Sequence, residues 1–407
     1  MPAPLEGLRV LDLGTRIAAP FCAGLLGEMG AEVIKIEQPG TGDFMRGIGP
    51  FIETGRTGDG DRDPSGYSLF WAVEGRDRKS VTLDLRVDEG QDIFRRLAAT
   101  ADVVVENFRP GTLEKWHIAP GDLDPRLVVV RITSFGQDGP YAPRPGLDRV
   151  GIGYGGLLHL TGYPDRPPVR VGVTISDYLT GVFAAHAASA ALYARDVRPD
   201  GTGAVIDAAL YGAVLRVLEW TLPAYDRLGT VRSREGNRLA NSAPLDNYPT
   251  ADGKYVCIVA ASDANFARLC KAMERIDLLD DARFGTLAQR ATHNDEINGI
   301  VADWTASRDA AGIERACVAH DVPVATAYTA TEIFADPHIA ARHDLVTVDD
   351  PVAGPMRQQS PFPRFVGEPA RAPTGAPRLG EHTNAVLHEL LGLAPEELER
   401  LARTGVV

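Results

Sequence analysis

Asp177 stands where a run of β-branched residues (Val171, Val173, Thr174, Ile175) gives way to a long stretch rich in Ala, Leu and Tyr that meets no proline until Pro199. The changeover reads as an extended segment entering a helix. Ser176 falls at the N-cap and Asp177 in the first turn, where side-chain oxygens meet free N–H groups and the positive end of the helix dipole. A carboxylate there has two possible jobs. It can simply stabilise the helix, by about 0.5–2 kcal/mol. Held by the same N–H groups, it can instead attack an activated acyl group and carry it as a covalent intermediate. A helix apolar on almost every face must be buried, so either job is expected on a rigid core element. Spacing alone does not choose between them.

The elements that position this carboxylate follow a βαβ rhythm. LRVLDL (8–13) is a strand, Pro20 opens a helix to about Met29, and AEVIKIE is a second strand closing on Glu37. An acid at that strand end invites a dinucleotide reading, but the turn GTRIAAP has one glycine where GxGxxG needs three. Strands at 102–107, 126–133 and 204–210 and a helix at 88–99 continue the pattern. They predict a doubly wound parallel sheet with ligand-binding loops at the strands' carboxyl ends. Arg16, Asn107, Phe108, Arg109, Ser134, Phe135 and Gly136 all fall just after a strand. Each basic residue alone reads as solvated surface; several following strand ends in one sheet mark a ligand site.

Between these elements, GRTGDGDRDPSG (55–66) reads as a surface loop, and the basic cluster Arg76, Arg78 and Lys79 leads into alternating Val81, Leu83 and Leu85. Residues 227–244 read as a polar linker, and a second set of strands and helices starts at Asp246. A strand near 345–349, a Pro- and Gly-rich linker at 361–380 and an amphipathic helix from about Thr383 close the chain. At 407 residues the chain exceeds the usual single core, so two domains are expected. A net charge of −13 argues against a nucleic-acid binder, though a few local Arg and Lys suffice for a small anion. With neither a signal-like start nor a membrane-length apolar run, a cytoplasmic protein off the membrane is expected. Cys22, Cys257, Cys270 and Cys317 are far apart and read as reduced core residues. His338 and His343 are off-register for one helix face, so no metal is expected.

Several stretches resemble the class III CoA-transferases, the formyl-CoA transferase and carnitine CoA-transferase type that also includes α-methylacyl-CoA racemase. They are LEGLRVLDLGTRIAAPFCAGLLGEMGAEVIKIEQPGTGD (5–43), RDRKSVTLDL (76–85), VVVENFRPGTLEKW (103–116), ITSFGQDGPY (132–141), the Asp177 stretch and PRLGEHTNAVLHELLGL (377–393). The resemblance implies an α/β fold in which residues 1–226 and 345–407 build a doubly wound CoA-binding domain. Residues 227–344 would supply the linker and a smaller inserted α+β domain, and two chains would interlock as a homodimer. It implies that Asp177 is the nucleophile, passing through aspartyl anhydride and aspartyl-CoA thioester. Coenzyme A would be a substrate, with no permanently bound cofactor.

By position the resemblance places Arg16, Ile17 and Ala18 along the pantetheine and thioester, and Arg78 and Lys79 as a basic pair near the nucleotide. Asn107, Phe108 and Lys115 match the loop over the adenosine and phosphates. Asp148 matches an acid near the active site, with capping of its own helix as the structural alternative. Leu147 stands where the racemase branch carries a proton-transferring histidine. Ile17 replaces a glutamine of the oxalate-using members, and Ala260 and Ala261 in VAASDAN (259–265) replace their glycines. Arg16, pointing into the site, would hold the distal carboxylate of a dicarboxylic acid. The expected reaction moves CoA from a succinyl-CoA type donor to a dicarboxylate or hydroxy acid. The alternatives are a racemase or isomerase, and a CoA-binding protein without turnover.

Overall fold

The structure, a computed structural model, describes residues 3–53, 66–367 and 372–407. The stretch read as a surface loop at 55–66 lies outside them save for Gly66, as does part of the linker read at 361–380. Among the described residues the chain forms two compact units, one of Met1–Leu157, Val171–Trp220 and His343–Val407, the other of Leu158–Arg170 and Thr221–Arg342.

The first unit is built on six parallel strands: β1 (Arg9–Asp12), β2 (Glu32–Glu37), β3 (Lys79–Thr82), β4 (Val103–Glu106), β5 (Val128–Thr133) and β6 (Ala204–Ala209). Their order in space is β3-β2-β1-β4-β5-β6. Successive side chains face opposite sides of a sheet, and here both sides are covered. Val10, Val103, Val105, Val128 and Val130 pack under helices α1 (Ala18–Glu28) and α4 (Ile175–Val197). Leu11, Val104 and Val129 pack on the other face with α2 (Asp88–Ala98) and two helices from the chain's end, Thr383–Leu391 and Pro395–Arg403. This is why these strands read as nearly unbroken apolar runs. The strand order reverses between β1 and β4, and the loops leaving those strands border the crevice where doubly wound sheets bind ligands.

Helix α4 corrects the expectation of an element enclosed all round. Its small residues Gly181, Ala184 and Ala188 face α1 and the sheet and are buried, while Val182 (48% exposed), Phe183 (39%) and Tyr193 (72%) point away. Small residues let α1 and α4 approach closely, so the larger apolar residues fall on the opposite face. Glycine is required at 181: a Cβ there would lie 2.9 Å from the Phe21 ring and 3.0 Å from the Ala18 carbonyl oxygen.

The second unit has a three-stranded antiparallel sheet with Tyr255–Val259 between Leu245–Pro249 and Val324–Thr326. Helices Asp263–Ala272, Asn294–Ala306 and Ala310–Val318 bury Phe266, Leu269, Ile297 and Ile313 in its core. Within 259–265, Val259 closes the middle strand and Ser262 caps the next helix, accepting from the Asn265 N–H at 3.2 Å. No helix among the described residues is long and apolar enough to cross a membrane.

Candidate active site

The turn after β1 is held from two sides. The Asn107 side chain, just past β4, accepts the Thr15 N–H at 2.9 Å and donates to the Thr15 carbonyl at 2.7 Å. From the other side Asp43 Oδ1 accepts the Arg16 N–H at 3.1 Å. Beneath the turn, fully buried Lys35 lies 3.0 Å from Asp43 Oδ2 and 3.4 Å from Asp12 Oδ2, and donates to the Gly14 carbonyl. Burial opposes ionisation of Asp43, but Lys35 and the Met45 and Arg16 N–H groups outweigh it and hold the carboxyl below its ordinary range. Arg16 itself has φ 70°, a left-handed conformation uncommon outside glycine. Its guanidinium lies 3.8 Å from the Phe44 ring centre and forms no ion pair among the described residues.

Asp177 enters from the first turn of α4, one helical turn before Gly181, so the close packing of α4 on α1 brings it beside the Arg16–Ala18 turn. Two expectations about its setting are corrected. Thr174, not Ser176, is the N-cap of α4, and it makes no side-chain cap bond. Nor is the Asp177 carboxylate held by helix N–H groups; among the described residues it takes no hydrogen bond. The capping is done through space by Asp148, the first residue of α3 (Asp148–Tyr154). Its Oδ1 accepts the Ser176 N–H at 2.9 Å and lies 3.0 Å from the Ser176 hydroxyl. Asp148 therefore serves the start of α4 rather than of α3, where Leu147 stands at the cap without a side-chain bond. Helix α3 comes this close because residue 151 is glycine, whose Cβ would lie 2.8 Å from the Ser176 hydroxyl.

Burial pushes the Asp177 carboxyl up to about 7, repulsion from Asp148 adds to the rise, and Arg16 opposes it. The remaining oxygen of Asp148, Oδ2, is buried without a hydrogen-bond partner. A small apolar cluster includes Ile17 of the turn and the residue that follows Asp177. Ile17 and Met45 are buried with Trp71, and Phe21 and Tyr178 pack on them with ring centres 4.8 Å apart, edge to face. The Tyr178 hydroxyl is turned away to donate to Glu74 at 2.8 Å.

The other residues singled out from the sequence divide into two groups. Arg16, Ile17, Ala18, Asn107 and Asp148 lie with Asp177 at the turn after β1 and the start of α4. Phe108 stacks edge to face on Trp116 (5.1 Å between centres), and both line a cleft with Thr15 and Arg86. Lys115 is exposed in the short helix Thr112–Lys115 beside it. Arg78 and Lys79 do not join them, because they precede β3 and open it, at the strand's amino end. Arg78 is a buried core cation, 2.7 Å from Asp12 Oδ2 and 2.5 Å from the Pro20 carbonyl. Lys79 pairs with Glu32 at 2.6 Å. Sequence reasoning passed over Lys35, Asp43 and Phe44. The signal available was a lysine inside a strand otherwise made of buried apolar residues, since a buried cation demands an acid nearby.

Chemically, the site offers a raised-pKa carboxylate free of hydrogen bonds, with an unpaired guanidinium whose charge reaches it. That combination suits a carboxylate nucleophile whose charge moves between itself and an acyl partner.

Residues 5–383 match the family model described as CoA-transferase family III. A succinyl-CoA–D-citramalate CoA-transferase of Chloroflexus aurantiacus is 41% identical over 100% of this chain and 98% of that one. A succinate–glutarate CoA-transferase of Agrobacterium fabrum is 35% identical over 98% of this chain and 97% of its own. The crystal structure of a CAIB/BAIF family protein from Brucella suis superposes with a TM-score of 0.84 and 32% identity, covering 96% of this chain and all of the other. With a family match across nearly its whole length and relatives of this similarity, the chain belongs to the class III CoA-transferases and is an enzyme that transfers CoA between acids.

Proposed function

We propose that the protein moves CoA from succinyl-CoA to a second small dicarboxylic or hydroxy acid, with Asp177 as the covalent carrier. The ionised Asp177 attacks the thioester carbonyl, forming a succinyl-aspartyl anhydride and releasing the CoA thiolate. The thiolate returns to the aspartyl carbonyl, expelling succinate and leaving an aspartyl-CoA thioester. The acceptor carboxylate attacks that thioester, giving an acceptor-aspartyl anhydride and thiolate again. The thiolate then attacks the acceptor carbonyl, which frees the acyl-CoA product and restores Asp177. Each step exchanges one activated acyl bond for another, so a hard exchange becomes a series of easier ones.

The observation that carries this reading is the pairing of an unbonded Asp177 carboxylate with an Arg16 guanidinium that lacks an acid partner. Arg16 is the group expected to bind the far carboxylate of donor and acceptor. Relatives named for citramalate and glutarate support that class of acid. A raised pKa makes the Asp177 anion more basic and so a better nucleophile, while leaving a large fraction ionised near neutrality. A racemase would need a base on each face of the α-carbon, and Leu147 supplies none. Thr15, Asn107, Phe108 and Lys115 are expected along the CoA nucleotide. An interlocked homodimer is supported by apolar surface left exposed on the single chain, Phe183 and Tyr193 of α4 and Val205 on edge strand β6. The expected place of the enzyme is the cytoplasm, where its unpaired cysteines stay reduced.

The test is exchange of labelled dicarboxylates with succinyl-CoA, followed across pH. Turnover per encounter, kcat/KM, is expected to fall as pH drops through about 7, because the nucleophile must be ionised. Asp148→Asn keeps an acceptor oxygen for Ser176 but removes the repelling charge, so it is expected to shift that limb to lower pH. Exchange with no dicarboxylate, or a profile flat between about pH 5 and 8, would contradict the proposal.

A further inference from the structure

We propose that Phe44 is a positioning residue for Arg16 and thereby sets the enzyme's preference for dicarboxylates over monocarboxylates. The inference rests on the reading of Arg16 as the group that takes the distal carboxylate. Three observations carry it. First, Arg16 sits at φ 70°, and a non-glycine residue keeps such a conformation only where its surroundings over-determine it. Second, one carboxylate ties the Arg16 backbone to the turn that carries Phe44. Asp43, 5% exposed, accepts the Arg16 N–H at 3.1 Å and, through the same Oδ1, the Met45 N–H at 2.8 Å. The latter bond caps the short 3₁₀ turn Phe44–Gly47. The Asp43 N–H is fixed in turn by Glu37 at 2.8 Å. The backbone that aims the guanidinium and the turn that presents Phe44 are therefore locked to one another.

Third, Phe44 is 48% exposed, so core packing does not explain its ring, while the Arg16 guanidinium lies over it at 3.8 Å. A stacked guanidinium has its flat face covered and its N–H edge free, which is the edge a carboxylate approaches with two parallel bonds. Without the ring, Arg16 keeps its backbone position but its side chain samples more orientations, and a distal carboxylate must order it on binding. A monocarboxylate makes no such demand.

The experiment compares glutarate with pentanoate as acceptors from succinyl-CoA, for wild type, Phe44→Leu, Phe44→Trp and Arg16→Met. For Phe44→Leu the glutarate-to-pentanoate ratio of kcat/KM is expected to fall about fivefold, the scale of an exposed cation–π contact, with the change in KM for glutarate rather than in kcat. Phe44→Trp is expected to restore the ratio, which a loss of general stability would not do. If Phe44→Leu leaves the ratio unchanged, or lowers both acids equally, while Arg16→Met collapses it, the role of Phe44 is overturned and that of Arg16 stands. If Arg16→Met leaves the ratio unchanged, the reading of Arg16 fails and the role of Phe44 falls with it.

Discussion

Asp177→Asn is expected to abolish CoA transfer while making the protein harder to unfold above neutral pH. The first half follows from the covalent role: an amide cannot form the anhydride, so the exchange rate should drop by at least about 10⁴-fold, as when a nucleophile is removed from a catalytic unit. The second half follows from where the carboxylate sits. Burial, with repulsion from Asp148 adding to it, raises its pKa from 3.8 to about 7 against the pull of Arg16. The folded state therefore favours the protonated acid. That contribution is fully present below the ordinary carboxylate range and is lost as pH rises through about 7. Asparagine is neutral throughout and avoids the loss, by on the order of 2 kcal/mol once partial solvent exposure is allowed for. Urea unfolding of both forms at about pH 8 and pH 5 checks this. The variant should be the more stable at the higher pH, and the gap should narrow at the lower. A variant less stable at both would mean that Asp177 holds the helix rather than serving the chemistry, which is how stability and activity trade at functional sites.

Arg16→Met is expected to strip the enzyme of its preference for dicarboxylates. A charge-assisted, two-point contact to a carboxylate contributes roughly 2–3 kcal/mol, so kcat/KM for glutarate should fall about 100-fold while pentanoate changes far less. Methionine keeps much of the apolar stem, which separates loss of charge from loss of packing. A second readout distinguishes this from simple damage to the site. Arg16 is the charge that lowers the Asp177 pKa, so its removal should move the acid limb of the pH profile to higher pH. Equal losses on both acids with an unmoved limb would show that Arg16 supports the loop and reads nothing.

The parts of this site that were legible in the sequence are those with local causes. Strands β1, β4 and β5 announce themselves because both faces of a parallel sheet are buried, so almost every residue is apolar. Asp177 stands out because an acid in the first turn of a long apolar helix is a local pattern. What was not legible depends on partners far along the chain. Ser176 looks like an N-cap, but its N–H is taken by Asp148, 28 residues earlier. Arg78 and Lys79 read as a basic pair near the nucleotide, and nothing local in the sequence tells that Arg78 answers Asp12 across 66 residues in the buried layer between β1 and α1. The exposed face of α4 was hidden for a different reason. Composition reports that a helix is apolar, and does not report how much of it one chain can cover.

The most direct measurement is to incubate the enzyme with succinyl-CoA alone, quench with hydroxylamine, and map the modified residue by mass spectrometry of the digested chain. An anhydride or thioester on a carboxylate is captured as a hydroxamate. The expected result is a hydroxamate on Asp177, formed only when succinyl-CoA is present and absent from Asp177→Asn. Capture on a different residue, or none while CoA exchange proceeds at full rate, would contradict the covalent role assigned to Asp177.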